Sequence, residues 1–297
     1  MNPSWLDGNY QQLNALANEK KLHHGLLLQG KKGIGKQRLA LAIAKDLLCM
    51  SEGRYACGHC KSCLLIDSQT HPDYLYISPE KDSISIEQIR LISDFFVHSA
   101  SYQGAKVVVV NSAHSLTLAA SNALLKTLEE PSENRFIILL GEVTPSLPAT
   151  ILSRCFKLQL RVDQHKVLDY LNGQGVDTNM PYIVPFLPQP LLVESWQHNG
   201  QLETVEKLFA ASKSDDLTTQ STHLVDIFTQ NYDYIDIFVQ FLAQRLQADL
   251  LQKVLNIKQY EKNIQALLGF SSKIKEVKGL NMSLQLNALL LTLSLGK

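Results

Sequence analysis

Apolar and polar residues follow two different periods along the first half of the chain. Four short apolar runs, each bounded by polar or turn residues, predict β-strands at residues 26–28, 74–77, 106–110 and 136–140. The run at 106–110 is rich in β-branched residues, which is typical of a strand buried on both faces of a parallel sheet. Segments with helical spacing separate these runs, so the pattern predicts a doubly wound α/β domain.

The helices between these strands have recognisable starts and ends. Ser85 and Gln88 have the spacing of a capping box, which predicts a helix from there to Val97. A later helix is expected to begin near residue 116 and to stop at Pro131, because proline cannot continue a helix. The segment before the first strand predicts a polar amphipathic helix over residues 1–25.

Beyond residue 161 the strand signals thin out. Four prolines interrupt the segment 162–200, namely Pro181, Pro185, Pro188 and Pro190. From residue 202 to the end the spacing is helical, and leucines predict that the last helix buries one face: Leu284, Leu286, Leu289, Leu290 and Leu293. The sequence therefore predicts an α/β domain at 1–161, a small helical domain at 162–201 and an all-helical domain at 202–297.

Composition narrows the class of protein further. A chain of 297 residues is long enough for two or three domains, and its formal net charge is zero. Zero net charge argues against a strongly basic nucleic-acid binder, although not against a local basic patch. The chain shows neither a signal peptide nor an uninterrupted apolar stretch of membrane-spanning length, which predicts a cytoplasmic protein that has no membrane contact.

Four of the five cysteines crowd into one short segment, as Cys49, Cys57, Cys60 and Cys63. Thiolates spaced this closely on a turn can converge on one ion, and a fourth from the preceding helix end completes a tetrahedral S4 site. An iron–sulfur cluster would need a further cysteine and proline just after Cys63, where the chain has Asp67. Four ligands without an open position predict a structural zinc held by a module at residues 49–63.

The strand at 26–28 leads into Gly30-Lys31-Lys32-Gly33-Ile34-Gly35-Lys36, after which helical spacing resumes at 38–48. In a phosphate loop, G-x-x-x-x-G-K-[ST], backbone N–H groups cradle the phosphates, the lysine reaches the outer ones and the hydroxyl holds magnesium. The candidate nucleotide-binding residues are therefore Gly30, Gly33, Gly35 and Lys36. The hydroxyl position is Gln37, a poor magnesium ligand, so the loop predicts a degenerate cradle with weak or absent ATP binding.

The acidic residues of a nucleoside triphosphatase are also missing. In this architecture the buried strand after the phosphate loop ends in two carboxylates, one for magnesium and one for the attacking water. Here the strand is followed by Asn111 and Ser112, which carry no charge. Together with Gln37, these residues predict that the chain does not hydrolyse nucleotide at a useful rate by itself.

Two motifs make the chain resemble a known family. Asn122-Ala123-Leu124-Leu125-Lys126-Thr127-Leu128-Glu129-Glu130-Pro131, followed by Leu152-Ser153-Arg154-Cys155, closely resembles the clamp-loader branch of the AAA+ ATPases. The cysteine cluster is similar to that of the bacterial clamp-loader subunits, and His71-Pro72-Asp73 and Gly279-Leu280-Asn281 also look family-like. The resemblance is strong from about residue 20 to 160 and loose beyond.

The resemblance implies a role for Ser153 and Arg154. In this family the arginine of that motif projects into the nucleotide site of a neighbouring subunit, so Arg154 is expected to be an arginine finger acting in trans. Cys155 is expected to be buried and unrelated to the zinc. Two further departures from an active member are Glu142-Val143-Thr144, where a nucleotide-sensing polar residue would stand, and the lack of a second sensor arginine around 186–193.

The resemblance also implies a fold and partners. The expected fold is an α/β P-loop (AAA+) domain with a doubly wound parallel sheet, then a small helical lid domain, then an all-α C-terminal collar domain for oligomerisation. The expected partners are motor subunits of the gamma or tau type and a delta subunit in a hetero-pentamer. The sliding clamp and primer–template DNA would be reached through the complex. The chain would be the inactive, rigid subunit of a clamp loader within a replicative DNA polymerase holoenzyme.

Two other functions remain open on the sequence. One is an active ATPase motor subunit that manages without the usual carboxylates. The other is a zinc-dependent nucleic-acid-binding module on a degenerate P-loop fold. Lys61 is the only basic residue between Cys57 and Cys63, which makes a poor electrostatic footprint for nucleic acid.

Overall fold

The computed structural model describes residues 3–102, 104–130, 133–143, 147–214, 221–276 and 281–294. The chain divides into two compact units. The first unit comprises Met1–Val176 and Leu187–Val193, and the second comprises Asp177–Phe186 and Glu194–Lys297. The three-domain division at 161 and 201 stays a prediction.

The first unit alternates helices and strands along the chain. Its strands are β1 (Gly25–Gln29), β2 (Tyr74–Ile77), β3 (Lys106–Val110), β4 (Arg135–Gly141) and β5 (Phe156–Gln159). Its helices are α1 (Asp7–Asn18), α2 (Lys36–Leu48), α3 (Lys61–Asp67), α4 (Ile86–Val97), α5 (Leu118–Glu129), α6 (Ala149–Leu152) and α7 (Gln164–Gly173). Helix α8 (Pro190–His198) begins in the first unit and ends in the second.

The five strands form one parallel sheet in the order β2-β3-β4-β1-β5. Four of them are the strands that the apolar runs predict. Strand β5 pairs with β1, with Leu26 opposite Phe156 and Gln29 opposite Gln159. The sequence pattern misses β5 because this edge strand is four residues long and alternates apolar with polar residues.

Helices cover both faces of the sheet. Leu27, Val108 and Ile137 belong to a core that also contains the buried side chains of α4 and α5. Since neighbouring side chains of a strand point to opposite faces, Leu26 and Leu28 face the other side. Helix α2, which contacts β1, β3 and β4, packs there with Leu39 and other fully buried residues. The doubly wound α/β arrangement is confirmed.

Local signals set several of the helix starts. The capping box is present: the Gln88 N–H donates to Ser85 Oγ at 3.4 Å, and the Ser85 N–H donates to Gln88 Oε1 at 3.0 Å. Helix α5 starts two residues later than expected because the Thr117 hydroxyl caps it. Helix α1 is shorter than the expected 1–25, because Trp5 and Leu6 are buried in a 3-10 turn before it. Pro131 lies outside the described residues.

The second unit is helical. It contains α9 (Leu202–Lys213), α10 (Ser221–Gln230), α11 (Asp233–Leu251), α12 (Ile257–Glu276) and α13 (Met282–Ser294). Phe186 anchors its core, with ring centroids 4.8 Å from Trp196 and 5.3 Å from Phe241. None of the helices in the described ranges combines the length and the apolarity that crossing a bilayer requires.

The expectation for the last helix is partly wrong. Leu286, Leu289 and Leu290 are buried, whereas Leu284 is 63% exposed. At 100° per residue Leu284 lies away from the face that the other three share. Of the family-like segment Gly279-Leu280-Asn281, the first two residues lie outside the described residues.

Candidate functional site

Two glycines shape the turn of the candidate phosphate loop. Gly33 and Gly35 have φ angles of 79° and 106°, in the left-handed region that glycine adopts without steric cost. Gly35 is the N-cap of α2, so the loop leads directly into a helix N-terminus. The Gly30 N–H donates to the carbonyl of Gly141 at 3.2 Å, which fixes the loop beside the end of β4.

The lysine of the loop is engaged by the loop itself. Lys36 Nζ donates to the carbonyl oxygens of Gly30 at 2.5 Å and Lys31 at 3.0 Å. Burial lowers the pKa of Lys36, and the carboxylate of Glu142 opposes that shift. In this arrangement the ammonium group is bonded to backbone carbonyls, with a carboxylate as the nearby anion.

Residues from elsewhere in the first unit contact the loop. The Leu191 N–H, at the start of α8, donates to the Gly33 carbonyl at 2.9 Å. A Cβ added to Gly33 would lie 2.9 Å from Leu192 Cβ, so the α8 backbone rests directly on the loop. Trp5 Nε1 donates to the Ile34 carbonyl at 2.9 Å. The space above Gly33 is therefore occupied by this chain's own residues.

The residues that follow β1, β3 and β4 lie on the carboxyl edge of the sheet. Asn111 and Ser112 follow β3 there, and Glu142 follows β4 beside Gly30. Gln37, at the magnesium-ligand position of the loop, donates to the Tyr76 hydroxyl at 3.1 Å. Thr144, the last residue of the expected sensor segment, lies outside the described residues.

One titratable residue near this edge is missed by the sequence reasoning. His114 lies in the short 3-10 turn after Ser112, and within the described part of the chain its buried Nδ1 has no hydrogen-bond partner. Burial lowers the pKa of His114; Glu142 opposes the shift and Lys36 adds to it. No local motif marks this histidine, because only the sheet register brings it near the loop.

Arg154 lies at the opposite, amino edge of the sheet. It lies two residues before the first residue of β5, and its carbonyl oxygen would lie 3.2 Å from a Cβ added to Gly25, the first residue of β1. The phosphate loop begins five residues further along at Gly30, which is about 16 Å away in an extended strand. Arg154 therefore lies at the other end of the sheet from the loop of its own chain.

Three groups hold the guanidinium of Arg154. Its Nη2 pairs with Glu129 Oε1 at 2.5 Å, and its Nη1 donates to the Thr150 carbonyl at 3.0 Å and to Ser153 Oγ at 3.3 Å. Ser153 caps α6 and donates its own proton to the Thr150 carbonyl at 3.0 Å. The side chain of Arg154 is 36% exposed, so it is oriented but accessible. Neighbouring Cys155 is buried, as expected.

The four clustered cysteines converge. The Sγ atoms of Cys49, Cys57, Cys60 and Cys63 all lie within 4.8 Å of one another. Cys49 Sγ and Cys60 Sγ are 3.9 Å apart. A tetrahedral zinc with bonds of about 2.3 Å separates its sulfurs by about 3.8 Å. The four sulfurs are therefore within metal-binding distance of a common centre, and His59 is exposed beside them.

Backbone donors support thiolates in this cluster. N–H groups of Cys57, Cys60 and Cys63 donate to the sulfurs of Cys49, Cys57 and Cys60 at 3.3, 3.2 and 3.5 Å. Hydrogen bonds, first from Ser51, lower the pKa of Cys57 to about 5, whereas burial raises the pKa of Cys63 to about 12. The donor set of four sulfurs fits zinc, which would displace the remaining thiol protons.

A buried chain of hydrogen bonds ties the cysteine module to the sheet. The Asp73 N–H donates to His71 Nδ1 at 2.9 Å, so the other ring nitrogen carries the proton. His71 Nε2 donates to Ser62 Oγ at 2.7 Å, and Ser62 donates to the Leu48 carbonyl at 2.5 Å. Ser62 and Leu48 each adjoin a clustered cysteine. The His71-Pro72-Asp73 motif thereby acquires a structural role that its sequence did not reveal.

The fold and the loop define the class: an α/β protein with a doubly wound parallel sheet and a P-loop at the carboxyl end of its first strand. A solved structure with this fold is a DNA polymerase III, gamma subunit-related protein from Thermotoga maritima. It has a TM-score of 0.55 at 21% identity, covering 97% of this chain and 99% of that chain. The family model described as "DNA polymerase III, delta subunit" matches residues 6–164. The chain belongs to this family.

Relatives named DNA polymerase III subunit delta' agree with that assignment. The Haemophilus influenzae protein is 35% identical over 204 residues, which are 67% of this chain and 62% of that protein. The Pseudomonas aeruginosa protein is 32% identical over 255 residues, 85% of this chain and 70% of that protein. The Escherichia coli protein is 40% identical over 154 residues, so the match spans 51% of this chain and 46% of that relative.

Proposed function

We propose that this chain is the delta-prime, non-hydrolysing subunit of a bacterial clamp loader and that it acts in the cytoplasm. Arg154 enters the ATP site of a neighbouring motor subunit while the sliding clamp is loaded onto primed DNA. The observation that carries the proposal is the position of Arg154, partly exposed on the amino edge of the sheet and held there by Glu129 and Thr150. Ser153 supports that position through its contact with the guanidinium.

The separation between Arg154 and the phosphate loop supports action in trans. Gly25 and Gly30 bracket strand β1, and about 16 Å of extended chain separates them. An arginine beside Gly25 therefore cannot place its guanidinium on phosphates at Gly30 of the same chain. A planar, permanently charged group that is accessible at this edge suits a phosphate presented from outside.

The residues at the carboxyl edge of the sheet support the proposal that this chain does not hydrolyse ATP. Lys36 donates to the loop carbonyls of Gly30 and Lys31, and Leu192 packs closely against Gly33. Asn111 and Ser112 supply neither a magnesium ligand of the carboxylate type nor a general base. Such a site lacks the groups that stabilise the charge on the transferred phosphoryl group and that activate the attacking water.

The four cysteines are proposed to hold one structural zinc ion. When bound, zinc would supply four bonds to a segment that hydrogen bonds also hold in place. The Asp46 carboxylate accepts from the Ala56 N–H at 2.7 Å and from Asn14 Nδ2 at 2.7 Å, and Asn14 also donates to the Arg54 carbonyl. These contacts fasten the module to α1 and α2, so its proposed role is to stiffen the first unit.

The motor and delta subunits are the proposed partners, in a hetero-pentamer joined through the helical second unit. The test is reconstitution of the complex with these subunits from the same organism. Arg154→Ala should leave assembly intact and should reduce the rate at the one site it completes by about 10³-fold or more. The DNA-stimulated ATPase rate of the whole complex should fall by that site's share.

The matched control is Arg161→Ala, which removes an exposed arginine near the other end of β5. This variant should retain the parent ATPase rate. A complex with Arg154→Ala that assembles and hydrolyses ATP like the parent would refute the trans role. Magnesium-dependent hydrolysis by the isolated chain that is lost in Lys36→Ala would instead identify an active motor subunit.

A further inference from the structure

Helix α5 ends in a way that the electrostatics of helices disfavour. Its last residue is Glu129 and the next is Glu130, so two carboxylates stand where the helix dipole is negative. Cations are favoured at this end of a helix, and Lys126 supplies one in the last turn, but the two carboxylates lie nearer to the end. Two carboxylates at the unfavourable end of the otherwise regular helix α5 point to a role for Glu129 or Glu130 outside the helix itself.

Glu129 has a partner that compensates its charge. Its carboxylate oxygen lies 2.5 Å from Nη2 of Arg154, and both side chains are partly exposed, 48% and 36%. The pair is thus accessible from outside the first unit. Arg154 belongs to a different element, in the turn between α6 and β5.

Close backbone packing brings the two side chains together. A Cβ added to Gly25 would lie 2.9 Å from Leu128 Cδ2 and 3.2 Å from the Arg154 carbonyl oxygen. The absence of a side chain at Gly25 therefore lets the end of α5 and the turn before β5 pack closely against the start of β1. Glu129 follows Leu128 directly, so its place beside Arg154 is built into the fold.

We propose that Glu129 is the positioning residue of the arginine finger. The proposal rests on the proposed function of Arg154. A guanidinium has five N–H donors, so its contacts with Glu129, Thr150 and Ser153 leave it able to bind a phosphate as well. Glu129 holds the long side chain in one orientation before the neighbour's nucleotide arrives, which reduces the ordering that the transition state would otherwise require.

The test uses the reconstituted complex with Glu129→Gln, which removes the charge and keeps the shape. We expect kcat of the Arg154-dependent ATPase to fall by about two- to fivefold, the range for losing one exposed ion pair. The KM for ATP should stay unchanged, because the lost orientation acts in the transition state. Thermal unfolding and assembly should match the parent, which a merely structural role of Glu129 would not allow.

Glu130→Gln is the matched control, since it removes the neighbouring exposed carboxylate. The two changes should also be combined with Arg154→Ala, where Glu129→Gln should have no further effect. An unchanged or raised kcat in Glu129→Gln, an equal loss in Glu130→Gln, or an added loss in the Arg154→Ala background would overturn the proposal. If Arg154→Ala itself has no effect, the proposed function fails instead, so the two failures are distinguishable.

Discussion

Replacing Asp73 by asparagine is expected to destabilise the first unit strongly. The carboxylate is fully buried, and it accepts the N–H of Ser101 at 2.8 and 2.9 Å and the N–H of Tyr102 at 3.0 Å. Lys106 Nζ lies 3.9 Å away and is also buried. Asparagine keeps one acceptor oxygen but leaves the ammonium of Lys106 without its counter-charge.

The magnitude follows from these contacts. Hydrogen bonds to a charged group contribute about 1.5–3 kcal/mol, and removing one partner of a buried ion pair costs about 3–5 kcal/mol. The 3.9 Å separation and the retained oxygen place Asp73→Asn at the low end, about 2–4 kcal/mol. The Lys106 ammonium keeps two other contacts, the Phe95 carbonyl at 2.9 Å and the Phe95 ring at 4.1 Å.

The pH dependence has a definite sign. Burial lowers the pKa of Lys106, and Asp73 opposes that shift, so its removal lowers the pKa further. Between the lowered pKa of folded Lys106 and the pKa of an unfolded lysine, about 10.4, the unfolded state of the variant then binds more protons than the folded state. Stability of the variant therefore rises with pH, and its deficit relative to the parent is largest near neutrality and shrinks toward pH 10.

The assay is urea unfolding followed by the fluorescence of Trp5. The chain has two tryptophans, and Trp196→Phe removes the one in the second unit, so the signal reports the first unit alone. Asp94→Asn, at an exposed position of α4, is the control. Adding Lys106→Met to Asp73→Asn should recover part of the loss. An Asp73→Asn variant within about 0.5 kcal/mol of its parent, or a double variant weaker than the single one, would refute the reasoning.

Two other predictions concern the cysteine module and its anchor. Lowering the pH from about 7.5 to about 5.5 should reduce the free energy of unfolding of the first unit more in the parent than in a His71→Asn variant. Burial lowers the pKa of His71, so as the pH falls the unfolded state takes up the proton before the folded state does. The urea midpoints of the parent and of His71→Asn at the two pH values measure the effect. An equal drop in midpoint in both proteins would contradict the prediction. The purified chain should carry about one zinc ion per polypeptide by atomic absorption, lost in Cys57→Ser and kept in Cys155→Ser. A parent protein with less than about half an equivalent would exclude the zinc site.

Local pattern was sufficient for the elements that carry their own signal. The β-branched run of β3, the Ser85 capping box and the glycines of the phosphate loop are each set by neighbours in sequence, so they could be predicted. Strand β5 could not, because a short edge strand with alternating polarity resembles a loop. Helix α3 was missed for a related reason: its seven residues lie within the cysteine segment, where spacing suggested only a turn.

Some features of the candidate site could likewise be predicted from the sequence, and others could not. The cysteine spacing and the motif around Arg154 are sequence features, and both could be named before the fold was known. The partner of Arg154 at Glu129, the chain of bonds from His71 to Leu48 and the placement of Leu191 on Gly33 join residues far apart in sequence. Such contacts depend on sheet order and register, which local periodicity does not specify.

Residues at the carboxyl edge of the sheet can be substituted independently of those at the amino edge. Substitutions around Lys36, Asn111 and Glu142 act at one rim, and the length of β1 separates them from Arg154 at the other. Mutations at the carboxyl edge therefore leave the amino edge unchanged, as long as the strands between the two edges stay packed. A gene copy could in this way lose residues at the carboxyl edge through a series of small independent substitutions, while the contacts of Arg154 with Glu129 and Thr150 stay in place.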